Sequence, residues 1–227
     1  MTSDSPDLLV FDCDGVLVDS ETVACRVDAE LFAEIGIEIG VEEIRERFVG
    51  GSSGQMCETL AREHGVAIGE AFRRRLLDTV LARFETELTA IPGVADALER
   101  LPFPRCVASS SEPHRIRRSL ELTGLLAQFD PHLFSAKMVA RGKPAPDVFL
   151  LAAARMGAAP ARCLAIEDSV AGVTAARAAG MSVLGFAGGW HCGPGLPPRL
   201  LAAGAARVFD DMRALPDLVA MHAGAQA

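Results

Sequence analysis

The sequence predicts an α/β protein, with a mostly parallel sheet covered by helices on both faces and a helical domain inserted into it. Short apolar runs recur along the chain: LLVF at 8–11, CVAS at 106–109, CLAI at 163–166 and SVLGF at 182–186. Helical patterns separate them, and one long interval, residues 21–90, holds no strand-like run. Parallel strands need crossover connections, and these cover both faces. Their strands therefore read as short, continuously apolar runs rather than alternating ones.

Taken in order, LLVF is the first buried strand and runs straight into acidic residues. The interval 21–90 follows as amphipathic helices broken at Gly36, Gly40, Gly50-Gly51 and Gly65, hinged near Ser20 and Ile91. The strand pattern resumes after Pro92-Gly93. A helix is expected after Ser111, with Pro113 in its first turn, and another after Pro146. A further helix runs from Val170 to Ala179 and stops at Gly180. This gives a core of residues 1–20 and 91–227 and a helical insert of residues 21–90. The last residues, HAGAQA, are expected to fray.

Composition narrows the function classes. The chain has 227 residues, half of them hydrophobic, enough for a sizeable core without disulfides. Its six cysteines are scattered with no C-x-x-C, which reads as reduced thiols, mostly in the core. No apolar stretch is long enough to span a bilayer, and MTSDSPDLLVFD is not signal-like. A cytoplasmic protein with no membrane partner is expected. The net charge of −8 argues against a nucleic-acid partner, but not against a small anion held by a metal ion and a few cations.

The strongest chemical signal is FDCDGVLVDS at 11–20. If the strand alternation continues, Asp12 and Asp14 point to one side and Cys13 to the other. Carboxylates held so close repel unless a cation lies between them. The pair suits one carboxylate as nucleophile and metal ligand and the other as acid/base. A plain helix-capping role accounts for Asp19 and Ser20 but poorly for Asp12 and Asp14.

FDCDGVLVDS resembles the first motif of the haloacid dehalogenase-like superfamily. Three further pieces match in order: VASSS with Ser109, RGKPAPDVF with Lys143, and LAIEDSVAG with Glu167-Asp168. The likeness spans nearly the whole chain and is nearest to the β-phosphoglucomutase-like and 6-phosphogluconate phosphatase-like subfamily. It implies a Rossmannoid core with an inserted α-helical cap, acting on a small-molecule phosphate ester, expected as a monomer. It also implies residue roles. Asp12 attacks phosphorus, and Asp14 protonates the leaving oxygen and then activates water. Mg²⁺ is held by Asp12, the main-chain carbonyl of Asp14, and Asp168, with Glu167 as a further or outer acceptor. Ser109, the backbone N–H of Ser110, and Lys143 receive the phosphoryl oxygens. Each has a plainer reading: a strand-end serine, a loop lysine, and a cap on the next helix at Asp168-Ser169.

Related chemistries fit less well. Dehalogenase-like members lack the second aspartate, and a Schiff-base mechanism needs a cap lysine that the insert does not contain. In β-phosphoglucomutase-like members a cap histidine and arginine stand where this chain has Ala24 and Ser53. A non-catalytic binding module would be expected to have lost one of the key residues, and none is lost. The loop VGGSSGQ, from Val49 to Gln55, resembles a substrate-specificity loop, with a helix linker as the plainer reading. Arg45, Arg47 and the run Arg73 to Arg75 read as a solvated helix face before a polyanion site. The loop GGWHCG places Trp190 and His191 at an expected active-site rim, either as packing or as a substrate contact.

Overall fold

The computed structural model describes residues 5–224. Among them are the strands β1 (Leu8–Phe11), β2 (Arg105–Ser109), β3 (Leu133–Ser135), β4 (Cys163–Glu167), β5 (Ser182–Phe186) and β6 (Arg207–Phe209). They form one sheet in the order β3-β2-β1-β4-β5-β6, and every neighbouring pair is parallel. The described residues form two compact units, one up to Asp19 and again from Thr89 onward, the other Ser20–Leu88.

The sheet belongs to the first unit, with helices α5 (Val94–Glu99), α6 (Pro113–Leu122), α7 (Asp147–Met156), α8 (Val170–Ala178), α9 (Leu196–Ala202) and α10 (Leu215–Gly224). Alternate strand residues Leu8, Val10, Cys106, Ala108 and Ala165 share a buried cluster with Val148, Phe149 and Val173 from α7 and α8. The intervening residues Leu9, Phe11, Val107, Leu164 and Ile166 are just as buried. The sheet is thus covered on both faces, and that is why its strands read as unbroken apolar runs. Phe11 meets Phe129 edge-on, with ring centroids 5.6 Å apart.

The short strands β3 and β6 are not visible as apolar runs in the sequence. Each has three residues and lies at a sheet edge, so its pattern is too brief to register. His222 to Gly224 continue α10, and the rest of HAGAQA lies outside the described residues.

The second unit is helical: α1 (Ser20–Glu34), α2 (Val41–Phe48), α3 (Ser53–His64) and α4 (Glu70–Glu87). Helix α1 packs against α2 and α4, with Phe32 and Phe72 in ring contact. The breaks fall at the glycines: Gly40 precedes α2, and Gly65 ends α3 in the left-handed conformation. Ser52 and Gln55 form a reciprocal capping box at the start of α3, so the second half of VGGSSGQ is the first turn of a helix. Within the first unit, the segments leading into and out of this insert pair through an antiparallel bridge between Val18 and Ala90.

Candidate active site

The sheet order reverses at β1: the chain moves outward through β2 and β3, then returns to the other side of β1 with β4. In open parallel sheets the crevice for ligands lies at the carboxyl ends of the strands at such a reversal. Asp12 follows β1, Ser109 ends β2, and Glu167 ends β4 with Asp168 next. The parallel register levels these ends: Phe11 stands opposite Val107 on one side and Ile166 on the other. The Asp12 N–H donates to the Ile166 carbonyl at 3.0 Å, which ties the first residue past β1 to the sheet.

Carboxylate oxygens of Asp12, Glu167 and Asp168 gather within 4.8 Å of one another, and all three residues are buried. Lys143 enters from the loop before α7. Its Nζ donates to Asp12 Oδ1 at 2.8 Å, to Glu167 Oε1 at 2.6 Å and to the Ala108 carbonyl at 2.9 Å. Burial, together with the charges of Glu167 and Asp168, pushes the Asp12 carboxyl well up, against the pull of Lys143. Glu167 is likewise raised by burial and by Asp168. For Lys143 burial opposes the charged form, but the Asp12 and Glu167 carboxylates outweigh it and hold the ammonium protonated.

Glu167 has no exposed surface. Besides Lys143 it accepts from the Ser169 N–H and hydroxyl at 3.3 and 3.1 Å. Helix α8 starts directly against it. A Cβ at Gly172 would lie 1.9 Å from the Glu167 carboxyl carbon, so only glycine fits there. The cap of α8 is Ser169, which accepts from the Gly172 N–H at 3.0 Å; Asp168 is not the cap.

Three buried carboxylates outnumber the two basic groups that touch them, Lys143 and the His191 ring beside Asp168, and so leave negative charge uncompensated in a poorly solvated place. An all-oxygen donor set of this kind suits a hard divalent cation such as Mg²⁺, so the residues present fit one.

Asp14 lies apart from this cluster. Strand β1 ends at Phe11, so strict alternation does not extend to residue 14. The Asp14 carboxylate instead accepts from the Ser111 hydroxyl at 2.5 Å and from the Arg115 guanidinium at 3.0 Å. The charge conflict expected between Asp12 and Asp14 is therefore carried by Asp12 with Glu167 and Asp168. Ser109 is buried and its hydroxyl accepts from the Ser111 N–H at 3.1 Å, while Ser110 is exposed. Arg115 carried no sequence signal beyond its place on the basic helix α6. His191 proves to be buried rather than at a rim. Its Nε2 lies 2.7 Å from Asp168 Oδ2 and 3.3 Å from Cys192 Sγ. Burial opposes charging the ring, yet these contacts and the Asp168 charge raise it to about 11.

Residues 6–180 match the family model of haloacid dehalogenase-like hydrolases. The chain belongs to that family. It is 32% identical over 213 residues to 6-phosphogluconate phosphatase of Escherichia coli, covering 93% of this chain and 94% of that one. A haloacid dehalogenase-like protein of unknown function from Agrobacterium tumefaciens superposes with a TM-score of 0.91 at 42% identity, covering 96% and 99% of the two chains. A haloacid dehalogenase family hydrolase from Deinococcus radiodurans, with bound phosphate and sodium, gives 0.83 at 32%, covering 96% and 97%. Within this family the chain is a phosphatase.

The features of the helical unit are more ordinary. Arg47 pairs with Glu43 and Glu63 at 2.6 and 2.5 Å, Arg75 with Glu34 at 2.5 Å, and Arg73 with Glu58 at 3.7 Å. Acidic neighbours on the same unit thus take up these arginines, as on a solvated helix face. Of the six cysteines, five are buried and Cys192 is half-buried, all with free thiols.

Proposed function

We propose that this phosphatase hydrolyses a small phosphate monoester, a sugar or sugar-acid phosphate, with Mg²⁺ and through an aspartyl phosphate on Asp12. The observation that carries the reading is the buried Asp12–Lys143–Glu167–Asp168 cluster at the point where strand order reverses. The substrate class follows that of the Escherichia coli relative, a 6-phosphogluconate phosphatase. Such charged metabolites are retained inside cells, so the cytoplasm is the proposed location.

In this mechanism Asp12 attacks phosphorus in line with the ester oxygen. The P–O bond to the leaving group breaks as the bond to the Asp12 carboxylate forms. Lys143 holds the Asp12 carboxylate in place and neutralises phosphoryl oxygens, while the Ser109 hydroxyl and the Ser110 N–H donate to the remaining ones. Asp14 gives its proton to the departing alkoxide, then takes one from the water that cleaves the aspartyl phosphate. Asp12, Asp168, Glu167 and the Asp14 carbonyl would hold Mg²⁺, which when bound offsets the negative charge of the phosphoryl group. The α/β unit carries this chemistry, and the helical unit is the proposed cap that sets leaving-group preference.

The test is turnover of p-nitrophenyl phosphate with Mg²⁺, with Ca²⁺ in its place, and with excess chelator. Mg²⁺ binds at about 2.0–2.1 Å in near-octahedral geometry, whereas Ca²⁺ takes more ligands at about 2.3–2.6 Å. A carboxylate that must both bind the ion and attack should tolerate the change poorly. Activity is expected with Mg²⁺, to fall with Ca²⁺ and to vanish in chelator. Full activity in chelator would remove the metal from the account.

A further inference from the structure

We infer that His191 is a positioning residue: by holding one oxygen of Asp168 it sets the carboxylate for the divalent cation. The inference rests on the proposed Mg²⁺ reading and assigns a task to a residue outside the four matching motifs.

Three loops of the α/β unit converge on the ring. Asp168 comes from the turn after β4, Gly15 from the turn after β1, and Gly189 and His191 from the loop after β5. A Cβ at Gly189 would lie 2.4 and 2.5 Å from ring atoms of His191. At Gly15, where φ is +80°, a Cβ would lie 2.9 Å from the ring and 2.0 Å from Asp168 Oδ2. Both glycines therefore leave room for the imidazole and for its contact with the carboxylate. His191 is buried, and a carboxylate can only accept, so the ring nitrogen 2.7 Å from Oδ2 is the donor.

Packing alone does not explain the choice of residue. The other ring nitrogen, Nδ1, is buried with no hydrogen-bond partner among the described residues. A buried polar atom left unpaired is a cost that an apolar side chain in the same slot would avoid. The benefit lies at Asp168. A carboxylate among two others, in a buried cluster, has reason to rotate away from its neighbours. Bonded through Oδ2 to a buried ring, it is held in the cluster. Hydrogen bonds to ligating carboxylates act this way in metal sites, and their loss typically costs roughly 10–100-fold in metal affinity.

The experiment is calorimetric titration of Mg²⁺ into the substrate-free protein, for wild type, His191→Leu and His191→Gln, with thermal unfolding of each in chelator. Leucine fills the slot without a donor, and glutamine places an amide N–H at a reach close to that of Nε2. The expected result is Mg²⁺ binding weakened about 10–100-fold in His191→Leu and largely restored in His191→Gln. Unfolding temperatures in chelator should not follow that pattern. If His191→Leu does not fold, His191→Asn, whose amide is too short to reach, takes its place with the same expectation. Unchanged Mg²⁺ affinity in the leucine or asparagine variant, with wild type binding normally, would overturn this inference and leave the proposed function standing. Failure of wild type itself to bind Mg²⁺ would overturn both.

Discussion

The Asp14 carboxylate is held by Ser111 and Arg115 and is not part of the buried cluster of Asp12, Glu167 and Asp168. Its proposed task is to exchange protons, not to bind an ion through its side chain. Asp14→Asn keeps the shape but has no proton to give. Turnover of an alkyl phosphate should fall by about 10²–10⁴-fold, the usual worth of a general acid or base. p-Nitrophenyl phosphate, whose leaving group departs without a proton, should keep a fast first step and show a burst. Equal slowing of both esters with no burst would count against the dual role. Asp12 stood out in the sequence as an acid at the end of the first apolar run, but its pairing with Asp14 did not follow: the carboxylates that gather with it are Glu167 and Asp168. Arg115 did not stand out. It is one of three arginines in PHRIRRSLEL, and only its contact with a residue 101 positions earlier distinguishes it. His191 stands out in the sequence for its company in GGWHCG, but its partner Asp168 is 23 residues away and invisible to local pattern.

Among the elements, helix α1 holds an unusual group. Asp28 is buried, and burial together with the nearby Glu21 charge pushes its carboxyl up to about 7. An acid raised in the folded state binds its proton more tightly there than in the unfolded chain. Its contribution to stability is therefore present below about pH 4 and is lost as pH rises towards 7. Asp28→Asn should raise the melting temperature at pH 8, by an amount equivalent to about 2–4 kcal/mol at most. The difference between variant and wild type should shrink steadily as the pH is lowered to about 4. A difference that does not change with pH would show that Asp28 does not titrate in this range. At this scale the sequence was most informative where elements are long or fully buried. β1 and β5 match their apolar runs residue for residue, and the glycine breaks of the insert fall between its helices. The three-residue edge strands escaped because they exist through pairing with β2 and β5, not through any pattern of their own.

The whole molecule combines a sheet whose reversal point gathers acids with a separate helical unit. Parallel order and coverage of both faces followed from the alternation of short apolar runs with helical patterns, because crossover helices bury both faces of the sheet. The site required more, since Asp12, Lys143 and Glu167 are brought together across 155 residues of chain. Hydrolysis rather than isomerisation is the expected outcome with a sugar phosphate. Keeping a phosphoenzyme from water until a sugar hydroxyl arrives needs tight recognition of the second phosphate. Ala24 and Ser53, at the positions where the resembling mutases carry a histidine and an arginine, offer no charge for it. With β-glucose 1-phosphate and catalytic glucose 1,6-bisphosphate, inorganic phosphate should form faster than glucose 6-phosphate. The reverse would restore a mutase.

The central claim is that the phosphoryl group passes through the carboxylate of Asp12. Its most direct test is acid quenching of the enzyme during turnover of p-nitrophenyl phosphate with Mg²⁺, followed by mass measurement of the intact protein and its peptides. Wild type, Asp14→Asn and Asp12→Asn are compared. Asp14→Asn is expected to accumulate one added phosphoryl group, mapped to the peptide containing Asp12, because its second step is slowed. Asp12→Asn should carry none and lose at least on the order of 10³-fold in turnover, as enzymes do without their nucleophile. Turnover by Asp14→Asn with no phosphorylated protein at any quench time, or near wild-type turnover by Asp12→Asn, would contradict the account.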